Sequence, residues 1–117
     1  MKKVELKDVK PYEAPGHFKM VALRLHHKET TGTENFWVGL SHFLPGGGAE
    51  MGSSDTEKVY FVISGVITVV TPDKKEITLR PMDSLFIPPG EERYIINKEN
   101  VPAAMLVIAA YPRTQGR

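Results

Sequence analysis

Apolar and polar positions along the chain fall into short runs of roughly ten-residue spacing, each cut off by turn residues, which is the signature of an all-β sandwich or barrel. Val4 to Val9 alternates apolar and polar residues. Phe18 to Leu25 reads as a strand, with Val21, Leu23 and Leu25 on one face. Phe36 to Leu44 is the next, stopped by Pro45 and three glycines. Lys58 to Ser64 follows, then Val66 to Thr71 after Gly65. Ile77 to Leu79, Ser84 to Ile87, Arg93 to Ile96 and Ala103 to Tyr111 complete the series. Between them, Pro11 to Gly16 and His26 to Asn35 read as connections, and Thr71-Pro72-Asp73-Lys74-Lys75 has the composition of a hairpin turn. No window carries the spacing of an amphipathic helix. The pattern predicts one all-β domain over residues 1–117, with an arm over about 1–16 and a barrel over about 17–112.

Several runs are apolar on both faces, notably Tyr60-Phe61-Val62-Ile63 and Met105-Leu106-Val107-Ile108. One face fills a barrel; the other needs cover, from a second sheet or another subunit. A chain this short has little other material for that purpose, so a homodimer is expected.

Composition narrows the function. Among 117 residues, 41% are hydrophobic and 25% charged, as in ordinary globular proteins. Fifteen basic and fourteen acidic residues leave a net charge of +1, which gives no support to a nucleic-acid or membrane-surface role. The absence of cysteine excludes disulfides, zinc-thiolate sites and a cysteine nucleophile, and fits a reducing compartment. MKKVELKDVKPYEAPG lacks the apolar stretch of a signal peptide, and Ala103 to Tyr111 is too short to span a bilayer. A cytoplasmic protein is expected.

The stretch PGGGAEMGSSDTEKVYFVISG and the segment Met82 to Asn97 carry a glycine and proline framework. In both, the chain resembles the small single-domain cupins. That family's first motif holds His-x-His and a downstream Glu between glycines. Its second holds Pro-x-Gly, then a His and an Asn. Gly65 closes the first motif here, and Pro88, Gly90 and Asn97 match the second, with Met82 in place of its opening glycine. The resemblance covers about Phe36 to Pro112 and implies a β-barrel, a double-stranded β-helix or jelly roll. It also places Met51, Ser53, Lys58 and Arg93 at the four metal-ligand positions. Two cations and a thioether make a poor coordination sphere, so neither metal nor other cofactor is expected.

In that register Met51, Ser53, Lys58 and Arg93 converge in the barrel, and Tyr60 follows Lys58 on the same face by the two-residue period. Two cations in a partly dry cavity repel, so an anion between them, a nearby carboxylate or a deprotonated lysine is required. The reading that follows is a metal-independent pocket for a small anionic, carboxylate-like metabolite. Lys58 and Arg93 bind the anion, with Ser53, Met51 and Tyr60 beside them. The bland alternative pairs Lys58 with Glu50 or Glu57 and Arg93 with Glu91 or Glu92. Candidate catalytic residues are Lys58, as a base or imine-forming amine, with Tyr60 and His42. Rival functions are an isomerase, lyase or decarboxylase of a small oxo acid using Lys58, a non-catalytic sensor or accessory protein, and a metalloenzyme with the atypical ligands His42, Glu50 and Glu57.

The remaining features carry less. Either face of the His42 strand could line the lumen. His26 and His27 point opposite ways if in a strand, and His17 has no signal of its own. Trp37 and Phe36 read most simply as packing. The run Gly46-Gly47-Gly48 lacks the lysine-serine ending and helix of a phosphate loop, and reads as a tight turn. Ser41 and Ser53 have no nucleophile-elbow context.

Overall fold

The computed structural model describes residues 1–112. Within them lie nine strands: β1 (Pro11–Tyr12), β2 (His17–His26), β3 (Phe36–Gly52), β4 (Lys58–Ser64), β5 (Ile67–Val70), β6 (Glu76–Leu79), β7 (Ser84–Ile87), β8 (Arg93–Ile96) and β9 (Ala103–Ala110). Every pairing is antiparallel. The strands form a nearly closed jelly-roll barrel, as the alternation of apolar runs and turns predicts. No helix among the described residues is long and apolar enough to cross a membrane.

One strand joins the two layers. The first half of β3, Phe36 to Phe43, lies between β2 and β9, and β9 continues the sheet to β4 and β7. Its second half, from Gly48, lies between the start of β2 and β8, which leads on to β5 and β6. The glycine run is therefore not a turn between strands but the interior of a 17-residue strand. The reason is steric. A Cβ on Gly47 would stand 2.1 Å from the Lys19 carbonyl oxygen, and one on Gly48 would stand 1.9 Å from that of Ile95. At the crossing between layers, two neighbouring backbones approach so closely that no side chain fits. Gly46, at φ +80°, supplies the bend.

Most other strands fall where the pattern puts them, including Lys58–Ser64, Ser84–Ile87 and Arg93–Ile96. The Thr71–Lys75 hairpin closes through Thr71 N–H to Lys75 O at 2.9 Å. Val4 to Val9 differs. It contains a single 3-10 turn, Leu6–Asp8, and finds no ladder partner among the described residues. Alternation over so short a segment is a strand only where an edge is free to receive it.

The core sits between the layers, where Phe43, Val62, Ile67, Val69 and Met105 are all essentially fully buried. Asn97 is buried with them, and its side-chain amide donates to Phe43 O at 3.0 Å and Val101 O at 2.9 Å. That satisfies a polar group which would otherwise be costly there.

Candidate functional site

Strand register fixes which side chains face inward. On the interior, Trp37 pairs with Ala109, Ala109 with Lys58, and Lys58 with Ile87. One row deeper, Gly39 pairs with Val107, Val107 with Tyr60, and Tyr60 with Leu85. Deeper still run Ser41, Met105 and Val62. Across the lumen Arg93 enters from β8, opposite Gly52. These rows bound a cavity of about 310 Å³ at the barrel mouth. The Trp37 ring lies across Gly39, where a Cβ would come within 2.8 Å of it. A bare backbone at that position is what lets the indole form a wall.

Arg93 is held in place. Its Nε and Nη2 donate to the Tyr60 hydroxyl at 3.1 and 3.0 Å, and Nη1 donates to Gly52 O at 3.1 Å. The Tyr60 oxygen thus receives two hydrogen bonds, and its own proton has no acceptor among the described residues. Burial pushes the Tyr60 hydroxyl above the usual tyrosine pKa, partly countered by the charge and hydrogen bonds of Arg93. Lys58 is shifted the other way. Burial against the apolar rows lowers its pKa first, and the Arg93 charge lowers it further. Ion pairs among the described residues join Lys3 and Lys7 to Glu5, Lys7 to Asp8, and Lys98 to Glu76. The pairing of Lys58 or Arg93 with a glutamate does not occur among them.

The arm covers the mouth. Tyr12, Ala14, Pro15 and His17 line the same cavity, and Glu50 N–H donates to Gly16 O at 2.8 Å, which ties the arm to β3. Arg24 lies 4.0 Å over the Tyr12 ring. Burial raises the Tyr12 pKa, with the Arg24 charge acting against it. His17 Nδ1 lies 2.8 Å from Pro15 O. A carbonyl only accepts, so Nδ1 carries the proton in this contact.

Of the residues expected from sequence, Ser53, Lys58, Tyr60 and Arg93 line the cavity together. Met51 does not. Between Ala49 and Gly52, β3 carries one residue more than β8, and this bulge places Glu50 in the lining while Met51 is 43% exposed. His42 does not line it either. It pairs with Val21 and Ala104 on the outer face, since the lumen face of its strand is the one with Trp37, Gly39 and Ser41. Trp37, read as packing, is a cavity wall. The sequence reading missed Tyr12, His17 and Ser41 as lining residues, and Glu50 as a member of this set. Trp37 and Ser41 share a strand face and could have been grouped. The arm residues reach the mouth by tertiary docking, which leaves no local trace.

The donor set does not fit a divalent metal. No three His, Cys, Asp or Glu side chains cluster among the described residues. The cavity offers one carboxylate, Glu50, and one imidazole, His17, beside two cations. The atypical set His42, Glu50 and Glu57 is not assembled, since only Glu50 of the three lines the cavity.

The Cupin domain model matches residues 39–109. Over 101 residues, covering 86% of each protein, the chain is 43% identical to beta-D-galactosidase Rv1717 of Mycobacterium tuberculosis. Among solved structures, the polyketide cyclase RemF from Streptomyces resistomycificus superposes with a TM-score of 0.86 at 25% identity, covering 97% of this chain and 81% of that one. A cupin-superfamily sugar phosphate isomerase from Silicibacter pomeroyi superposes with a TM-score of 0.78 at 21% identity, over 95% of this chain and 76% of its own, a likeness of fold. The chain belongs to the cupin domain family.

Proposed function

We propose that this cupin-domain protein uses its barrel cavity, without a metal, to bind a small hydroxylated organic anion of the size and kind of a sugar acid. The observation that carries the reading is the pair Lys58 and Arg93, set in one cavity with no carboxylate partner among the described residues. An anion there relieves their repulsion and is held by charge-assisted hydrogen bonds. Arg93 is already oriented by Tyr60 and Gly52, so little ordering is left to the moment of binding. Tyr60 offers its free proton to a ligand oxygen, and Ser41 and Ser53 suit further hydroxyls. Trp37 and Tyr12 provide flat apolar walls, of the type that packs against a sugar ring. The cavity of about 310 Å³ lies at the small end of ligand pockets. The name of the 43%-identical relative, a beta-D-galactosidase, supports a sugar-derived ligand.

The same relative, with Glu50 in the lining, favours a second reading, glycoside cleavage. Most glycosidases use two carboxyl groups flanking the scissile bond. Here Glu50 stands alone, and His17, through Nε2, is the other acid–base group in the lining. Cleavage in this cavity therefore pairs Glu50, which gives a proton to the leaving oxygen as the glycosidic bond breaks, with His17 Nε2, which takes a proton from the water that bonds to the anomeric carbon.

Thermal unfolding in the presence of galacturonate, gluconate, inorganic phosphate and neutral galactose tests both readings. The sugar acids are expected to raise Tm, galactose to raise it less, and Lys58→Ala or Arg93→Ala to abolish the rise. No rise with any acid, or a rise unchanged in both variants, defeats the anion site. Hydrolysis of a nitrophenyl β-D-galactoside, lost in Glu50→Gln, would favour the second reading.

A further inference from the structure

Lys58 is the one amine among the described residues that line the cavity. Its ladder neighbours, Ala109 on β9 and Ile87 on β7, are both buried, so apolar positions flank it on either side. It forms no ion pair among the described residues. Arg93 lines the same cavity from β8, already fixed by Tyr60 and Gly52. The two cations are not equivalent. A guanidinium keeps its proton and grips a carboxylate through paired N–H groups, whereas an amine that gives up its proton becomes a nucleophile. Burial and the Arg93 charge both make that loss easier for Lys58. A neutral amine adds to aldehydes and ketones. Only some sugar acids answer both groups. A uronic acid carries a carboxylate at one end of its open chain and an aldehyde at the other. An aldonic acid carries the carboxylate alone.

We infer that Lys58 forms an imine with the carbonyl carbon of an acid that Arg93 holds by its carboxylate, so that the cavity takes oxo acids and, among sugar acids, the uronic acids. The inference rests on the anion site proposed above and divides its two cations between the ends of the ligand. The Lys58 nitrogen lone pair bonds to the carbonyl carbon, and the π pair of the C=O bond goes to oxygen. One N–H proton moves to that oxygen. The Tyr60 hydroxyl, whose proton no described residue accepts, gives it a second proton as the C–O bond breaks and water leaves. The remaining N–H proton restores the tyrosine, so amine and carbonyl become imine and water with no oxidant or reductant consumed. Arg93, which donates twice to the Tyr60 oxygen, steadies the tyrosinate formed in between.

Reductive trapping of the full chain tests this. The protein is incubated with galacturonate and cyanoborohydride, which fixes an imine as a secondary amine, and its peptides are weighed by mass spectrometry. The adduct is expected on Lys58, in at least about tenfold excess over any other lysine, because the site holds the two reacting groups together. Neutral galactose, with the aldehyde but no carboxylate, is expected to label Lys58 about tenfold less, the worth of a lost charge-assisted hydrogen bond. Excess gluconate, with the carboxylate but no aldehyde, is expected to suppress the labelling, and Arg93→Ala to lower it about tenfold. A Tm rise with gluconate beside no excess of adduct at Lys58 overturns the imine and leaves the anion site standing. Equal labelling by galactose and galacturonate, or labelling that gluconate does not suppress, overturns the assignment of the carboxylate to Arg93. No Tm rise with either acid overturns the anion site, and this inference with it.

Discussion

The two ends of the barrel are made by the same strands and end in opposite chemistry. Along β4 the inward line runs Lys58, Tyr60, Val62, from a charged mouth to a residue with no exposure. Along β8 and just beyond, it runs Arg93, Ile95, Asn97, the last buried and satisfied by backbone. Along β3 it runs Trp37, Gly39, Ser41, Phe43. The closed end is a packed core of Phe43, Ile67, Ala103 and Met105, and the Asn97 amide buried with them is hydrogen-bonded to backbone. At the open end Lys58 forms no ion pair and the Tyr60 proton has no acceptor among the described residues. A protein that needed only to be stable would have closed both ends alike. That difference is what makes the open end the candidate site.

The sharpest way to break this division is at the closed end. Phe43 is 1% exposed, at the centre of the packed rows. Phe43→Ala is expected to cost about 3–5 kcal/mol, through lost burial and the cavity left behind. Denaturant titration would show it as a lower midpoint at unchanged slope. At temperatures where the variant is folded, its Tm rise with a sugar acid should match that of the parent. A variant that kept its stability would mean that the closed end is not the main stabilising core.

At the open end the expected effect is smaller and of opposite sign. Burial and Arg93 hold the Lys58 pKa below its ordinary value, so the folded chain binds that proton less firmly than the unfolded chain. Between the folded and the ordinary pKa the unfolded state carries more protons, and stability therefore rises with pH across that window. Below it, the charged lysine is a standing cost. Lys58→Met removes the charge while filling similar space, and is expected to stabilise the protein by about 1 kcal/mol or less near neutral pH. The gain should shrink as pH climbs toward the ordinary lysine range, and the response to anions should be lost. Unfolding measured against pH for both proteins checks the sign. A variant less stable than the parent at neutral pH would mean that Lys58 is structural.

The sequence displays this division unevenly. Lys58, Tyr60 and Arg93 could be placed inside because they sit on uninterrupted strands whose two-residue period carries from a fixed glycine or proline. Met51 leaves the face its spacing predicts because a bulge adds one residue between Ala49 and Gly52, and a single insertion reverses every face beyond it. The glycine run has the composition of a turn but lies inside β3. Its actual cause, the nearness of the Lys19 and Ile95 carbonyls, depends on strands distant in sequence. The arm residues Tyr12 and His17 belong to the site only through docking, and no local pattern encodes that.

The smallest expected effect concerns a residue that departs from the family's framework. Met82 stands where the second motif opens with glycine, and its φ is +74°, a left-handed conformation. The turn does not let it relax. Met82 N–H donates to Val62 O at 2.8 Å, Val62 N–H donates to Asp83 O at 3.1 Å, and Asp83 N–H donates to Arg80 O at 2.8 Å. The side chain gains little in return, being 68% exposed. A side chain in that conformation costs about 1–2 kcal/mol. Replacing it with glycine removes this cost but adds chain entropy to the unfolded state, offsetting about 0.5–1 kcal/mol. Met82→Gly is therefore expected to raise stability by roughly 0.5 kcal/mol. The turn is anchored to Val62 of the packed core and not to the mouth, so anion response and its pH dependence should stay as in the parent. Paired denaturant titrations resolve a difference of this size. A loss of stability would mean that the methionine makes a contact which offsets its backbone, and a changed anion response would mean that the two ends are coupled.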